Sequence, residues 1–174
     1  MKLLKEIYVD TDVKCDKYEI RKTARAILLN DKNEILLMHA RNGNWYELIG
    51  GGIDDGEALD QALHRECLEE AGAKIRVLGE VGVTLEFRNT QQRLKINHCF
   101  VAKIIGELGT TNMTDEEIRD DFILEFHSLD KAIELVKNAK PFGEQELLGK
   151  FMNASELAFL EEYAKIKETL ERKI

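Results

Sequence analysis

Between Gly51 and Ala73 the chain reads GGIDDGEALDQALHRECLEEAGA, a glycine turn feeding a short helix whose end carries Glu66, Glu69 and Glu70 beside Arg65. An ideal helix advances each residue by roughly 100°, which puts the three carboxylates within an arc of about 100° on one side. Leu59, Ala62 and Leu63 share that arc, whereas Gln61, His64 and Arg65 occupy other sides. The glutamates therefore continue the core-facing stripe instead of forming the solvated acidic face that a charge run usually makes. Inward carboxylates repel one another and lose hydration unless cations or strong donors meet them. Hard divalent ions such as Mg²⁺, which prefer oxygen ligands and keep several waters, are natural partners.

As a pattern, the stretch is Gly51, five residues, Glu57, seven residues, then Arg65-Glu66-Cys67-Leu68-Glu69-Glu70-Ala71-Gly72-Ala73. It resembles the Nudix box, G-x5-E-x7-R-E-U-x-E-E-x-G-U with U a bulky apolar residue, at every fixed position. An accidental match to seven fixed residues is on the order of one in 10⁹ per start. Cys67 and Ala73 are smaller than the usual aliphatic U residues, and Ile49 stands where proline is frequent. The box covers 23 of 174 residues, so it bears on fold and reaction class more than on substrate.

The resemblance implies an α/β fold, a Nudix-type α/β/α sandwich with a mixed central sheet. It implies hydrolysis of a nucleoside diphosphate linked to another group, with water attacking phosphorus. Glu66, Glu69 and Glu70 match the family's metal-binding glutamates, and a backbone carbonyl near Gly50 or Gly51 would complete a Mg²⁺ site that Mn²⁺ can also fill. Arg65 matches the box arginine, which orients glutamate. Glu57 matches the other fixed glutamate, with direct catalysis and a helix-cap role beside Arg65 both open. Family members often recruit a further carboxylate from outside the box. Glu125 is the candidate, because Leu124-Glu125-Phe126-His127-Ser128-Leu129 is similar to a glutamate-aromatic-x-Ser-Leu segment of some members; Glu116 and Glu117 are weaker alternatives. For the substrate, Arg25, Arg41 and Arg88 are candidates to pair with phosphate, and Tyr46 or Phe87 to stack on a base.

Length predicts one domain with a sizeable core. A net charge of −8 and a pI near 5.1 argue against broad nucleic-acid binding, which needs a basic surface. Three dispersed cysteines, Cys15, Cys67 and Cys99, form no CxxC pair and fit a reduced, cytoplasmic setting. No apolar run reaches the roughly 18 residues needed to span a bilayer.

Alternation and turn residues predict strands over 2–9, 17–29, 34–40, 46–53, 74–88, 93–105 and 122–127. Asn30-Asp31-Lys32-Asn33 marks a hairpin turn, Asp54 is the expected N-cap of the box helix and Gly72 its stop. In the strand after Arg93, Leu94, Ile96, His98 and Phe100 are expected to form the apolar face opposite Lys95, Asn97, Cys99 and Val101. Residues 128–139 read as helical. Pro141 divides a domain over 1–140 from a helical extension over 141–174. In that extension Phe159, Leu160, Tyr163, Ile166 and Leu170 form an apolar stripe that covers the same domain or forms a homodimer interface. Asn153 and Glu156 are the expected capping pair of its helix. A nucleotide-sensing Nudix fold with little catalytic role is the alternative function. Intact box glutamates favour the enzyme.

Overall fold

Long β-branched and alternating runs fold here into one mixed seven-stranded sheet. The computed structural model describes residues 1–112 and 114–171, and the side chains of residues 116, 117 and 171 also lie outside that description. In chain order the elements are β1 (Leu3–Tyr8), β2 (Glu19–Leu29), β3 (Ile35–Ala40), β4 (Trp45–Leu48), α1 (Leu59–Ala71), β5 (Ile75–Arg88) and β6 (Arg93–Ile104). They continue with α2 (Asp115–Arg119), β7 (Phe122–His127), α3 (Leu129–Asn138) and α4 (Glu146–Glu171). The strands run in the order β1-β5-β6-β2-β3-β4, and β7 also pairs with β3. The β1–β5 and β2–β6 pairs are parallel; the remaining pairs are antiparallel.

The first hairpin forms because Asn30 acts as its turn residue. Its side-chain oxygen accepts from the backbone N–H groups of Lys32 and Glu34, both at 2.9 Å, while Asn33 takes a left-handed φ of 59°. Asparagine tolerates that conformation better than most residues. Past β4 the chain does not leave the sheet at once. Ala26 donates to the Ile49 carbonyl at 2.8 Å and Ala24 to that of Gly51 at 3.0 Å, so β2 holds the glycine turn along its edge.

The sheet separates two apolar layers. On one face the small Ala24 and Ala26, with Leu28 and Ile49, meet Ala62, Leu63 and Cys67 of α1. On the other, Ile27, Leu29, Leu37 and Val101 meet Ala132 and Val136 of α3 and Phe159, Leu160 and Tyr163 of α4. The expected α/β/α sandwich is therefore present, and the apolar stripe of the C-terminal helix covers the sheet of its own chain.

Three local expectations are corrected. The box helix starts at Leu59 after Ala58, and Asp54 instead donates its backbone N–H to Glu57 at 3.0 Å. The long helix α4 starts at Glu146, which leaves Asn153 and Glu156 inside it and buried rather than capping it. In β6 Lys95, Asn97, Cys99 and Val101 are buried, while Leu94, Ile96, His98 and Phe100 are only partly covered. Hydrophobicity named the wrong face because Asn97, on the side that also carries Cys99 and Val101, is buried by the polar partners Glu86 and Ser155.

Phe159 is fully buried between α4 and the sheet. Phe159→Ala is expected to lower unfolding free energy by about 3–5 kcal/mol, measured by urea denaturation. A loss under about 1 kcal/mol would mean that α4 is not part of the cooperative core.

Candidate active site

Helix α1 ends where Gly72 enters the left-handed region at φ 61° and returns its N–H to the Leu68 carbonyl at 3.0 Å. Within the helix, Arg65 reaches back toward the turn that precedes it. Its Nε and Nη2 donate to the two Glu57 oxygens at 2.9 and 2.8 Å, and Nη2 also donates to the Gly52 carbonyl at 2.9 Å. Its Nη1 donates to Glu66 at 2.8 Å and to Glu69 at 3.2 Å. One guanidinium thus joins three box glutamates to the glycine turn. Its hydrogen bonds hold the Glu57 carboxyl down to about 2. Burial pushes the Glu66 carboxyl up, against the opposing pull of Arg65.

Glu70 faces the same turn and accepts from the Gly50 backbone N–H at 2.6 Å. Gly50 has φ 133°, and a Cβ there would lie 2.1 Å from the Ala24 carbonyl oxygen. At Gly51 a Cβ would lie 2.6 Å from both Glu66 oxygens. Glycine is needed at both positions because the backbone presses against β2 on one side and a carboxylate on the other. The structure thus brings together Gly50, Gly51, Glu57, Arg65, Glu66, Glu69 and Glu70.

Among the described residues no three His, Cys, Asp or Glu side chains stand as a preformed metal cage. The donors still fit a hard divalent cation. They are all oxygens, and Glu69 is 44% exposed at the side chain and open to an ion that retains its waters. Mg²⁺ is usually held through one or two carboxylates plus water and substrate phosphate, not by a closed protein cage.

Beside the turn lies a cavity of about 200 Å³ on the α4 side of the sheet. Arg21, Arg25, Glu47, Arg88, Arg93 and Lys95 line it, Gly51 and Gly52 form one end, and Leu148 and Met152 of α4 cover it. Five cations and one carboxylate thus share one cleft in a protein of net charge −8. Arg25 donates to the Leu48 carbonyl at 2.9 Å and pairs with Glu47 at 3.2 Å and Glu156 at 3.9 Å. Arg88 donates to Glu86 at 2.7 Å and stands 5.3 Å over the Phe151 ring. Burial pulls Lys95 down to about 8, opposed by Glu86, and pushes Glu156 up to about 8, opposed by Arg25.

Other sequence candidates fall elsewhere. Arg41 pairs with Asp121 at 2.8 Å on the surface. Tyr46 stacks on His39 with ring centroids 4.2 Å apart, and Phe87 stacks on Tyr8 at 4.5 Å. Glu125 sits 3.6 Å from His127 and 4.0 Å from His39, opposite Leu37 in the β3–β7 ladder. Leu37 belongs to the apolar layer under α3 and α4, so Glu125 and α1 lie on opposite faces of the sheet. The Glu116 and Glu117 side chains lie outside the described residues. The residues that sequence reading missed are Arg21, Arg93 and Lys95 in the cleft and Asn97, Glu86 and Glu156 beside it. The available signal was polar residues at period two in strands too long to be solvent-exposed throughout.

Together these features define a mixed-sheet sandwich with an arginine-clamped carboxylate helix at a glycine turn, next to a cationic cleft. The NUDIX domain family matches residues 19–147, and the chain belongs to that family. Residues of the chain are 37% identical to a Bacillus subtilis (strain 168) protein provisionally named an 8-oxo-dGTP diphosphatase, over 53% of this chain and 59% of that one. They are 36% identical to an RNA pyrophosphohydrolase of Francisella tularensis subsp. mediasiatica, over 34% of this chain and 38% of that one. The chain thus spans between 38% and 59% of the length of these two relatives. The crystal structure of a MutT protein from Methanosarcina mazei Go1 has a TM-score of 0.62 at 18% identity, covering 88% of this chain and 99% of that one. That likeness is one of fold.

Glu156 gives a pH test. Its folded pKa lies above the ordinary carboxylate value, so the folded state holds more protons between 4.5 and about 8, and the Glu156 contribution to stability is lost as pH rises through that window. Glu156→Gln removes the titration. The stability of the variant relative to wild type is expected to rise by about 1 kcal/mol or more from about pH 5 to about pH 8, measured by denaturant unfolding. A difference independent of pH would show that Glu156 is ionised throughout.

Proposed function

We propose that this chain is a Mg²⁺-dependent pyrophosphohydrolase that cleaves a nucleoside diphosphate linked to another moiety, with water attacking phosphorus. The observation that carries the reading is the Arg65 cluster, which gathers Glu57, Glu66 and Glu69 at the turn whose Gly50 N–H binds Glu70. Glu66, Glu69 and Glu70, with a carbonyl of Gly50 or Gly51, would hold the cation. Bound Mg²⁺, or Mn²⁺ in its place, supplies positive charge against phosphate oxygens and acidifies water.

The protein's own part is positioning. Arg65 and Glu57 fix the pitch of the carboxylate row against the glycine turn, so Glu66 and Glu69 do not swing apart when their charges are desolvated. The exposed Glu69 is best placed of the three to meet a water or a ligand, because its other partner is a single Arg65 bond at 3.2 Å. The names of the relatives support phosphoanhydride chemistry on nucleotides, with nucleoside triphosphates and RNA both inside the range to be screened.

The test is a nucleotide panel with Mg²⁺ or Mn²⁺, reading phosphate release by wild type and Glu69→Gln. On the substrate turned over, Glu69→Gln is expected to lower kcat about tenfold or more. Full activity in that variant would remove Glu69 from the site, and no turnover of any nucleotide would favour a sensing domain. Glu125→Gln is expected to keep kcat within about twofold at saturating Mg²⁺. A drop of about tenfold or more in a folded variant would bring β7 into the chemistry.

A further inference from the structure

The charges of the cleft are unevenly matched. Lys95 is 8% exposed, and among the described residues its ammonium group donates to the Met152 thioether sulfur at 3.9 Å. The nearest carboxylate on its own row, Glu86, is occupied by Arg88 at 2.7 Å and Asn97 at 2.6 Å. Among the described residues Arg93 Nε is buried without an acceptor, and Nη2 pairs with exposed Glu19 at 3.5 Å. An ammonium or guanidinium withdrawn from water with unfilled donors costs free energy until an acceptor arrives.

Strand register makes the imbalance sharper. Arg21 on β2 is the direct cross-strand partner of Lys95 on β6, and Arg88 on β5 is the direct partner of Arg93 on β6. Like charges directly opposite destabilise a sheet. Two such pairs occupy adjacent rows of one cleft, and each row carries one carboxylate for its two cations, Glu86 across from Lys95 and Glu19 across from Arg93. No aromatic side chain lines that cleft among the described residues, so nothing in it offers a face on which a base could stack.

Position separates this cluster from the box. Gly52 bridges to Thr23 on β2, with β6 and β5 the next two strands across. At about 4.8 Å per strand and about 3.3 Å per residue along it, the register puts the Lys95 backbone about 12 Å and the Arg88 backbone about 20 Å from the glycine turn. The same cavity runs from Gly51 and Gly52 to Lys95, so a ligand held at Gly51 by its diphosphate can reach the Lys95 end with a second group.

We propose that Lys95 and Arg93, with Arg21 at the rim, form a subsite for a second phosphate group, carried by the substrate away from its scissile diphosphate. Resting on the hydrolase reading above, this narrows the substrate class to nucleotides or sugar diphosphates phosphorylated at their far end. Glu47 does not repel such a group, since Arg25 pairs it at 3.2 Å and Trp45 donates to it at 2.8 Å. The two like-charge pairs then stand around a dianion instead of facing one another.

Inorganic phosphate titrated calorimetrically into the intact chain in EDTA tests the subsite without metal or turnover. Wild type and Glu69→Gln are expected to bind it, and Lys95→Met and Arg93→Gln each to weaken binding about tenfold or more. Arg93→Gln, nearer the rim, keeps the test valid if Lys95→Met does not fold. Affinity unchanged in both folded variants, or absent in wild type, overturns the proposal. In turnover, Lys95→Met is expected to lower the kcat/KM ratio of a 3′-phosphorylated nucleoside diphosphate derivative to its unphosphorylated counterpart about tenfold. An equal ratio also overturns it. Phosphate binding lost in Lys95→Met by a chain that hydrolyses nothing would retain the subsite and reject the hydrolase reading.

Discussion

Arg65 is the interaction on which the site depends. A helix carrying Glu66, Glu69 and Glu70 on its inner side, with Glu57 just ahead of it, is electrostatically unfavourable on its own. Arg65 answers it with planar, forked donors that a lysine does not have. Because the same guanidinium also donates to the Gly52 carbonyl, it fixes the carboxylates relative to the backbone turn as well as to each other. A hydrogen bond to a charged group contributes about 1.5–3 kcal/mol, though Arg65 is part exposed and each of its bonds is weaker for solvent screening. Geometry is the larger effect: the glycine turn and the helix move as one unit.

A second polar network performs the same task on the other face. Thr23 donates to Asn97 at 2.7 Å, and Asn97 donates to Glu86 at 2.6 Å and to Thr84 and Ser155, each at 3.2 Å. These residues come from β2, β6, β5 and α4, so α4 is held in register by partners as well as by apolar contact. Asn153 adds another tie by accepting the Tyr46 backbone N–H at 3.1 Å. Sliding α4 by one residue would bury several of these groups unpaired, at about 1–3 kcal/mol each. The apolar stripe places the helix on the sheet, and the polar network sets where along it the helix stops. That position is what puts Met152 over Lys95.

What the sequence made legible followed from whether one physical rule governed a segment. The box was readable because spacing and charge agreed, and the strands were readable because alternation and turns agreed. β6 failed because polar partners bury Lys95 and Asn97 on the face where Cys99 and Val101 meet the apolar layer, and Asn97 carries no local sign that Glu86 and Ser155 will meet it. Asn153 and Glu156 read as a cap because their three-residue spacing suits one, while their actual partners, Tyr46 and Arg25, are about a hundred residues or more away in sequence. Glu125 matched a short pattern, but a strand residue's face is set by register, and register with Leu37 turns it away from α1. Local signals do not contain that information.

The glycine turn is also a partition one backbone thick. On its α1 side Gly51 touches the Glu66 carboxylate, and on its sheet side Gly52 lies against the Arg21 guanidinium, each closer than a side chain would allow or nearly so. Negative groups that attract mobile cations and fixed positive groups that attract anions are thereby kept from neutralising each other directly. An ordinary residue at Gly51 would push Glu66 away. In so acidic a chain a field that favours an anion is necessarily local, and low-dielectric walls of sheet and α4 concentrate it. The placement of α4 therefore matters to the site through charge as much as through packing, because without that cover Lys95, Arg88 and Arg93 would be solvated and screened.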